Sequence, residues 1–390
     1  MEKRLLTFDP DGDVLLRFQA PAEYHFESPD TNEVEPPVTP DHGHPFHPLL
    51  SPSCLSESST AIDDEFSDFS SFGPCVSAQT REITMRVSSK HLGLASPVFK
   101  SMFSEGMFEG EKLMVGEETV VAMDGDAQVW EVLMNVVHGR IRMVPVQVTL
   151  EMLDGLAILV DKYQMLEVVE MFVKSWMPQL KTSIPRSLTP ELLSWLRIAW
   201  VFRLPREFKH GTRIAQLEAN GRLGYEGDER PLPLPDHILD EIERHRQKGI
   251  SELLGCIKKV ASTYDGSKVN CRKNYSEHTD LKRYACDGLI LGTLLKSASS
   301  AGLLPIPEAP YVGMSVRQTA DKVRGLKIMG MCDEILTMYS MTAPLDAHGC
   351  VDWIRDRCAK VEQAQQGLNF ELLAIQSAIS NMQKSLSRQE

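Results

Sequence analysis

Apolar and polar positions along the chain fall into short runs whose period switches between two and about three and a half. Residues 13–19, "DVLLRFQ", form a short apolar run of strand type. Residues 81–87, "REITMRV", alternate Ile83, Met85 and Val87 on one face, the period of a half-buried strand. The two are expected to be neighbouring strands joined through the long segment between them. "SSKHLGLA" then predicts a short helix with Leu92, Leu94 and Ala95 inside. Ser96-Pro97 interrupts the apolar run and starts a second helix. Serine is a strong N-cap, and proline suits the first helical position because its missing N–H would be unpaired there anyway. Val98, Phe99, Met102 and Phe103 form the apolar face of that helix.

The pattern continues with "ETVVAM" as a strand and "DAQVWEVLMNVVHG" as a helix capped by Asp126 and stopped at Gly139. Thr149 opens a helix carrying Leu150, Leu153, Leu156, Ala157 and Val160, and "LEVVEMFVKSWM" predicts another that closes before Pro178. Beyond residue 180 every strong period is helical. Helices are expected from Pro190, capped by Thr189, over 208–217, from Asp236 to Val260, and over 280–298 and 315–326. A C-terminal amphipathic helix is expected within 351–390. Its residues Leu368, Leu372, Ile375, Ile379, Met382 and Leu386 are spaced 4, 3, 4, 3, 4. That stripe covers under three heptads, so it is expected to dock, preferably on the chain's own helical region.

Composition changes the picture in one place. The net charge of −13 is concentrated in residues 21–78, which hold eleven acids, nine prolines, ten serines and no Lys or Arg. Such a segment buries too little apolar surface to offset chain ordering and is expected to be a disordered acidic insert. The remaining 43 acids and 41 bases nearly balance, which argues against nucleic acid as a direct partner. Near the end of the insert Phe66, Phe69 and Phe72 recur every third residue among acids. They form either a helical segment for a partner or a chance spacing in a polar tract. No apolar run has membrane-spanning length, and Asp9 interrupts the N-terminus before a signal-peptide core could form. Those features, with eight scattered cysteines, lead to the expectation of an intracellular protein, nuclear or cytoplasmic, with reduced thiols.

Strand, strand, two short helices, strand, helix and two further helices make an α+β order. Residues 10–20 plus 79–178 resemble a BTB/POZ domain. The motifs that carry the likeness are "GDVLLRF", "LASPVFKSMFSEGMFEG", "WEVLMNVVHGRI" and "LAILVDKYQMLEVVEMF". The wording is similar to the large fungal group of BTB proteins, which also show stretches like "WLRIAWVFRLPREF" and "YACDGLILGTLLKSASSAGLLP". The resemblance implies a BTB domain from 1–20 and 79–180, split by the 21–78 insert, then a helical region over 181–350 and the C-terminal helix. It implies a non-enzymatic protein-interaction module that self-associates as a homodimer or recruits partners. The alternatives are a substrate adaptor for a cullin-3 ubiquitin ligase and a transcriptional co-regulator using the acidic insert. Met107, Phe108 and Glu109 match the apolar-x-Glu motif of cullin-binding members, expected in a surface loop. A chance match, with Met107 or Phe108 tucked into the domain, is the alternative. Asp13 corresponds to an acid near the dimer seam, faced by Ser89 or Lys90 depending on register.

The sequence carries no P-loop, nucleophile elbow, HExxH or dinucleotide fingerprint, so no catalytic residue and no cofactor are expected. "EIERHR", with Glu241, Glu243 and His245, reads as a solvated helix face. Cys256, Cys271, His278, Cys286, Cys332, His348, Cys350 and Cys358 lack the close C-x2–4-C pair that usually opens a zinc site, so no metal ligands are assigned on spacing.

Overall fold

Strands Lys3–Thr7 (β1), Val14–Ala20 (β2), Arg81–Val87 (β3) and Thr119–Ala122 (β4) form an open mixed sheet in the order β1-β3-β2-β4. The computed structural model describes residues 3–20, 81–224, 234–333 and 346–386. β2 and β3 are antiparallel neighbours, with Leu16 opposite Met85, as their alternation predicts. β1 runs parallel to β3 and β4 parallel to β2. The 21–78 insert and its Phe66, Phe69 and Phe72 lie outside the described residues.

The short helices follow from their caps. Helix α1 is Ser89–Ala95 and α2 is Pro97–Met102. The Ser96 hydroxyl accepts from the Phe99 N–H at 3.1 Å and donates to the Tyr163 carbonyl at 2.6 Å. One buried side chain therefore starts α2 and ties it to a later helix. Leu92 is buried as expected, but Leu94 points outward and is 89% exposed, because the opposite face of so short a helix has no element to cover it. Helices Phe108–Met114 (α3), Ala127–Val137 (α4), Leu150–Tyr163 (α5) and Leu166–Leu180 (α6) complete the N-terminal body. Asp126 and Thr149 cap α4 and α5 as expected. α6 runs through Pro178, where a stop was expected. The proline sits in the last turn, where it removes only one helical hydrogen bond. The core between sheet and helices is centred on Phe99 stacked on Tyr163 at 4.7 Å, with Trp130 edge-on to Tyr163 at 5.1 Å.

Helices Pro190–Val201 (α7) and Pro205–Glu218 (α8) blur the expected boundary at residue 180. Trp195, Ile198 and Val201 of α7 join the N-terminal core, while Leu196 and Ala199 pack with Phe208 on the other side. Asp154 of α5 holds Arg197 of α7 through two bonds of 2.6 and 2.8 Å. Helices Asp236–Tyr264 (α9), Thr279–Ser300 (α10) and Val316–Arg324 (α11) form the second body with Cys350–Ala364 (α12). The expected single C-terminal helix is two: after α12 the chain breaks and restarts as Phe370–Leu386 (α13). Among its described side chains, the predicted stripe does not dock as expected. Leu368 is buried, but Leu372, Ile375 and Ile379 are at least half exposed, and it is Leu373 that turns inward. Phe370 and Leu373 face the small core around Phe208, and Ser377 Oγ lies 3.0 Å from His237 Nε2, so that face of α13 is the one turned inward. Among the described residues, no helix is long and apolar enough to cross a membrane.

His138, at the end of α4, is held as a neutral ring. Its Nε2 accepts from the Ser88 N–H at 3.1 Å, so Nδ1 carries the proton toward the Met134 carbonyl at 3.0 Å. Burial is the main cause that holds its pKa below 6.5; the nearby His91 and Arg140 act the same way, while the Met134 bond and Asp9 oppose them. As pH falls below 6.5 the unfolded imidazole takes its proton first, so the unfolded state binds more protons and stability drops. Unfolding followed from pH 7.5 to 5 is expected to show this acid loss, and His138→Gln is expected to flatten it. An unchanged slope in the variant contradicts the assignment.

Candidate functional site: an exposed apolar stretch and a cysteine–histidine cluster

Two places in the described chain gather chemistry. The first runs from α1 to the turn after α3. Met107 is the N-cap of α3, and Phe108 and Glu109 form its first turn, so the expected surface loop is the start of a helix. Met107 is 47% and Phe108 68% exposed, which leaves both outside the core, while Glu109 is half-buried. The Lys112 ammonium lies 4.2 Å from the Phe108 ring centre. Leu94, Met114 and Val115 add exposed apolar surface to the same stretch of chain. Asp13 is half-buried and committed: its two carboxylate oxygens accept from the Ser89 N–H at 2.8 Å and the Ser89 hydroxyl at 2.7 Å. Ser89, not Lys90, faces it, and Lys90 is exposed on α1. Asp13 thus ties β2 to the start of α1.

The second place was not legible from spacing. Cys271, in the segment after α9, Cys286 in α10, Cys332 after α11 and His348 before α12 converge. Their ligand atoms all lie within 4.8 Å of one another. Sγ of Cys271 is 3.5 Å and Sγ of Cys286 3.7 Å from Sγ of Cys332, and Nε2 of His348 is 3.3 Å from Sγ of Cys286. All three cysteines are buried free thiols. Burial is the main cause pushing the Cys286 and Cys332 thiols above their ordinary range. The Tyr275 phenol is likewise pushed up, chiefly by burial, and its oxygen lies 3.1 Å from Cys332 Sγ.

The backbone around the cluster is held by two aspartates. Asp287 accepts from the N–H groups of Asn270 and Cys271 at 2.6 and 3.0 Å. Asp333 accepts from those of Gly330 and Ala347 at 2.6 and 2.9 Å, joining the segments that carry Cys332 and His348. A side chain at Gly330 would place its Cβ 3.1 Å from Cys286 Sγ and 3.2 Å from the His348 ring, so the segment passes close over the cluster. A cleft of about 320 Å³, lined by Cys271, Cys332, His348, Arg272 and Lys273, opens onto it. His278 is not part of the set. Cys256 and Cys358 serve the apolar core, as Cys256's place on the buried face of α9 predicts.

Compared with known protein families, curated proteins and solved structures, the chain matches none.

Proposed function

We propose that the chain is a non-enzymatic protein-interaction module of BTB/POZ type, acting through self-association or recruitment of another protein. The observation that carries the reading is the exposed apolar stretch at α1–α3. Leu94, Met107, Phe108, Met114 and Val115 stand out of the surface within one short part of the chain, beside a half-buried carboxylate at Glu109. Exposed large apolar side chains, where they adjoin one another, mark surfaces that partners cover. The motifs on which the resemblance rests fall on β2, on α1 to α3, on α4 and on α5 and α6 of one body. The partner chemistry that fits is an apolar groove with a donor for Glu109, which favours a cullin-3 scaffold as the recruited protein.

Met107→Ala with Phe108→Ala and Glu109→Ala is expected to abolish binding to the cullin-3 N-terminal domain in calorimetric titration. The melting temperature is expected to stay unchanged, because neither apolar side chain contributes to the core. Binding that survives the triple change removes this surface from the contact.

A further inference from the structure

We propose that Cys271, Cys286, Cys332 and His348 form a structural zinc site of Cys3His type that staples the second helical body. The observations are independent of the interaction reading, since they lie in a different core. Zinc bonds of ~2.3 Å to sulfur and ~2.0 Å to nitrogen place the corners of a tetrahedron ~3.5–3.8 Å apart. Three of the six ligand separations, 3.5, 3.7 and 3.3 Å, match such edges to within a few tenths of an ångström, and all four ligand atoms lie within 4.8 Å of one another. Iron–sulfur clusters also take cysteine ligands, but they hold several iron atoms and need ligand sulfurs farther apart. A soft sulfur-rich set with one imidazole selects zinc among the common divalent ions.

The surroundings fit as well. A bound ion needs its ligands oriented by outer partners, and here the Tyr275 O–H meets Cys332 while Asp287 and Asp333 fix the ligand-bearing backbone. A metal needs an entry path, which the adjoining cleft supplies. With three thiolates and one neutral imidazole, the loaded site carries one net negative charge, and Arg272 and Lys273 line the same cleft. Four ligands from four separate segments leave no coordination position open, so the site is structural and performs no hydrolysis.

The position of the ligands says what the ion would do. Cys271 and His348 lie on irregular segments flanking α10 and α12; Arg283 and Asp287 of α10 hold the backbone of the first, and Asp333 ties the second to the segment that carries Cys332. Zinc would fix both ends of the helical body at one point.

The test is metal analysis of the full chain, purified with reductant and without chelator. About one zinc per chain is expected. Cys271→Ser and His348→Gln are each expected to lose it. His348→Cys keeps four ligands and is expected to retain it, so a failure of the first two through misfolding is told apart from loss of a ligand. Cobalt exchanged into the full chain is expected to show thiolate-to-cobalt charge transfer and the strong visible bands of a tetrahedral ion. A folded chain that carries no zinc and gives no such cobalt spectrum overturns the proposal. So does a Cys271–Cys332 disulfide found by peptide mapping of the freshly purified protein.

Discussion

Replacing Arg246 by Met is expected to cost about 3–5 kcal/mol of stability, the largest loss from any single change away from the apolar cores. Arg246 is 1% exposed on α9. Its guanidinium donates to both oxygens of Glu243 at 2.7 Å and to the carbonyls of Pro310, Tyr311 and Met314. One planar fork therefore holds the loop before α11 against α9. Methionine fills similar volume but leaves Glu243, itself only 12% exposed, and three carbonyls without their donor. The loss comes from uncompensated burial of those groups rather than from the attraction of the pair. Chemical denaturation of the variant measures it directly. A loss under about 1 kcal/mol contradicts the account, since that is the worth of an exposed ion pair.

Gly367→Ala is expected to detach the C-terminal helix. Gly367 has φ of +77°, and an added Cβ would stand 2.0 Å from the Lys209 carbonyl oxygen, a backbone atom that cannot swing aside. The segment is gripped by α8 at three points. Thr212 Oγ1 accepts from the Leu368 N–H at 2.9 Å, Gln216 Oε1 accepts from the Gly367 N–H at 3.1 Å, and Arg213 Nε donates to the Gln365 carbonyl at 2.9 Å. Backbone strain and displacement of this clamp together are expected to cost on the order of 3 kcal/mol. Leu368, Phe370 and Leu373 would leave the small core around Phe208 and Ile238. Limited proteolysis is expected to cut the variant between residues 364 and 372 under conditions that spare the unmodified chain. Equal resistance and an unchanged melting temperature would show that the clamp is not what seats α13. Leu372→Asp with Ile379→Asp, by contrast, is expected to leave melting nearly unchanged, because both side chains are already exposed.

These two devices mark the limit of what the sequence makes legible. Caps are local: Ser96, Asp126, Thr149, Thr189 and Ser315 each accept from an N–H two or three residues on, so the residue types at that spacing predict the helix starts. β2 and β3 were readable because one face of each is buried and the pattern alternates. β1 was not: "KRLLT" opens on two charges with no alternation, and its pairing is set by β3, nearly eighty residues away. Glu243 and Arg246 look like one more solvated charge pair on a helix, because the three carbonyls they serve come from a loop some 65 residues on. The cysteine–histidine cluster is the extreme case. Its members are separated by 15, 46 and 16 positions. Only the packing of α9, α10 and α12 brings them to one point. Cys271 stands in the polar run "KVNCRKN", so not even its burial was legible before the fold was known.

The fold bears on the proposed function through placement. Ser96, Phe99 and Tyr163 fix α2 to α5, so the stretch from α1 to α3 sits on a rigid base. Its exposed apolar side chains are then presented rather than left loose, which lowers the ordering cost of a contact. The measurement that tests this most directly is the mass of the full chain by light scattering after size exclusion, alone and with the cullin-3 N-terminal domain. The account predicts a species heavier than one chain in at least one of the two runs, reduced to a single chain by Met107→Ala with Phe108→Ala and Glu109→Ala. A single-chain mass in both runs, unchanged by those substitutions, would contradict it.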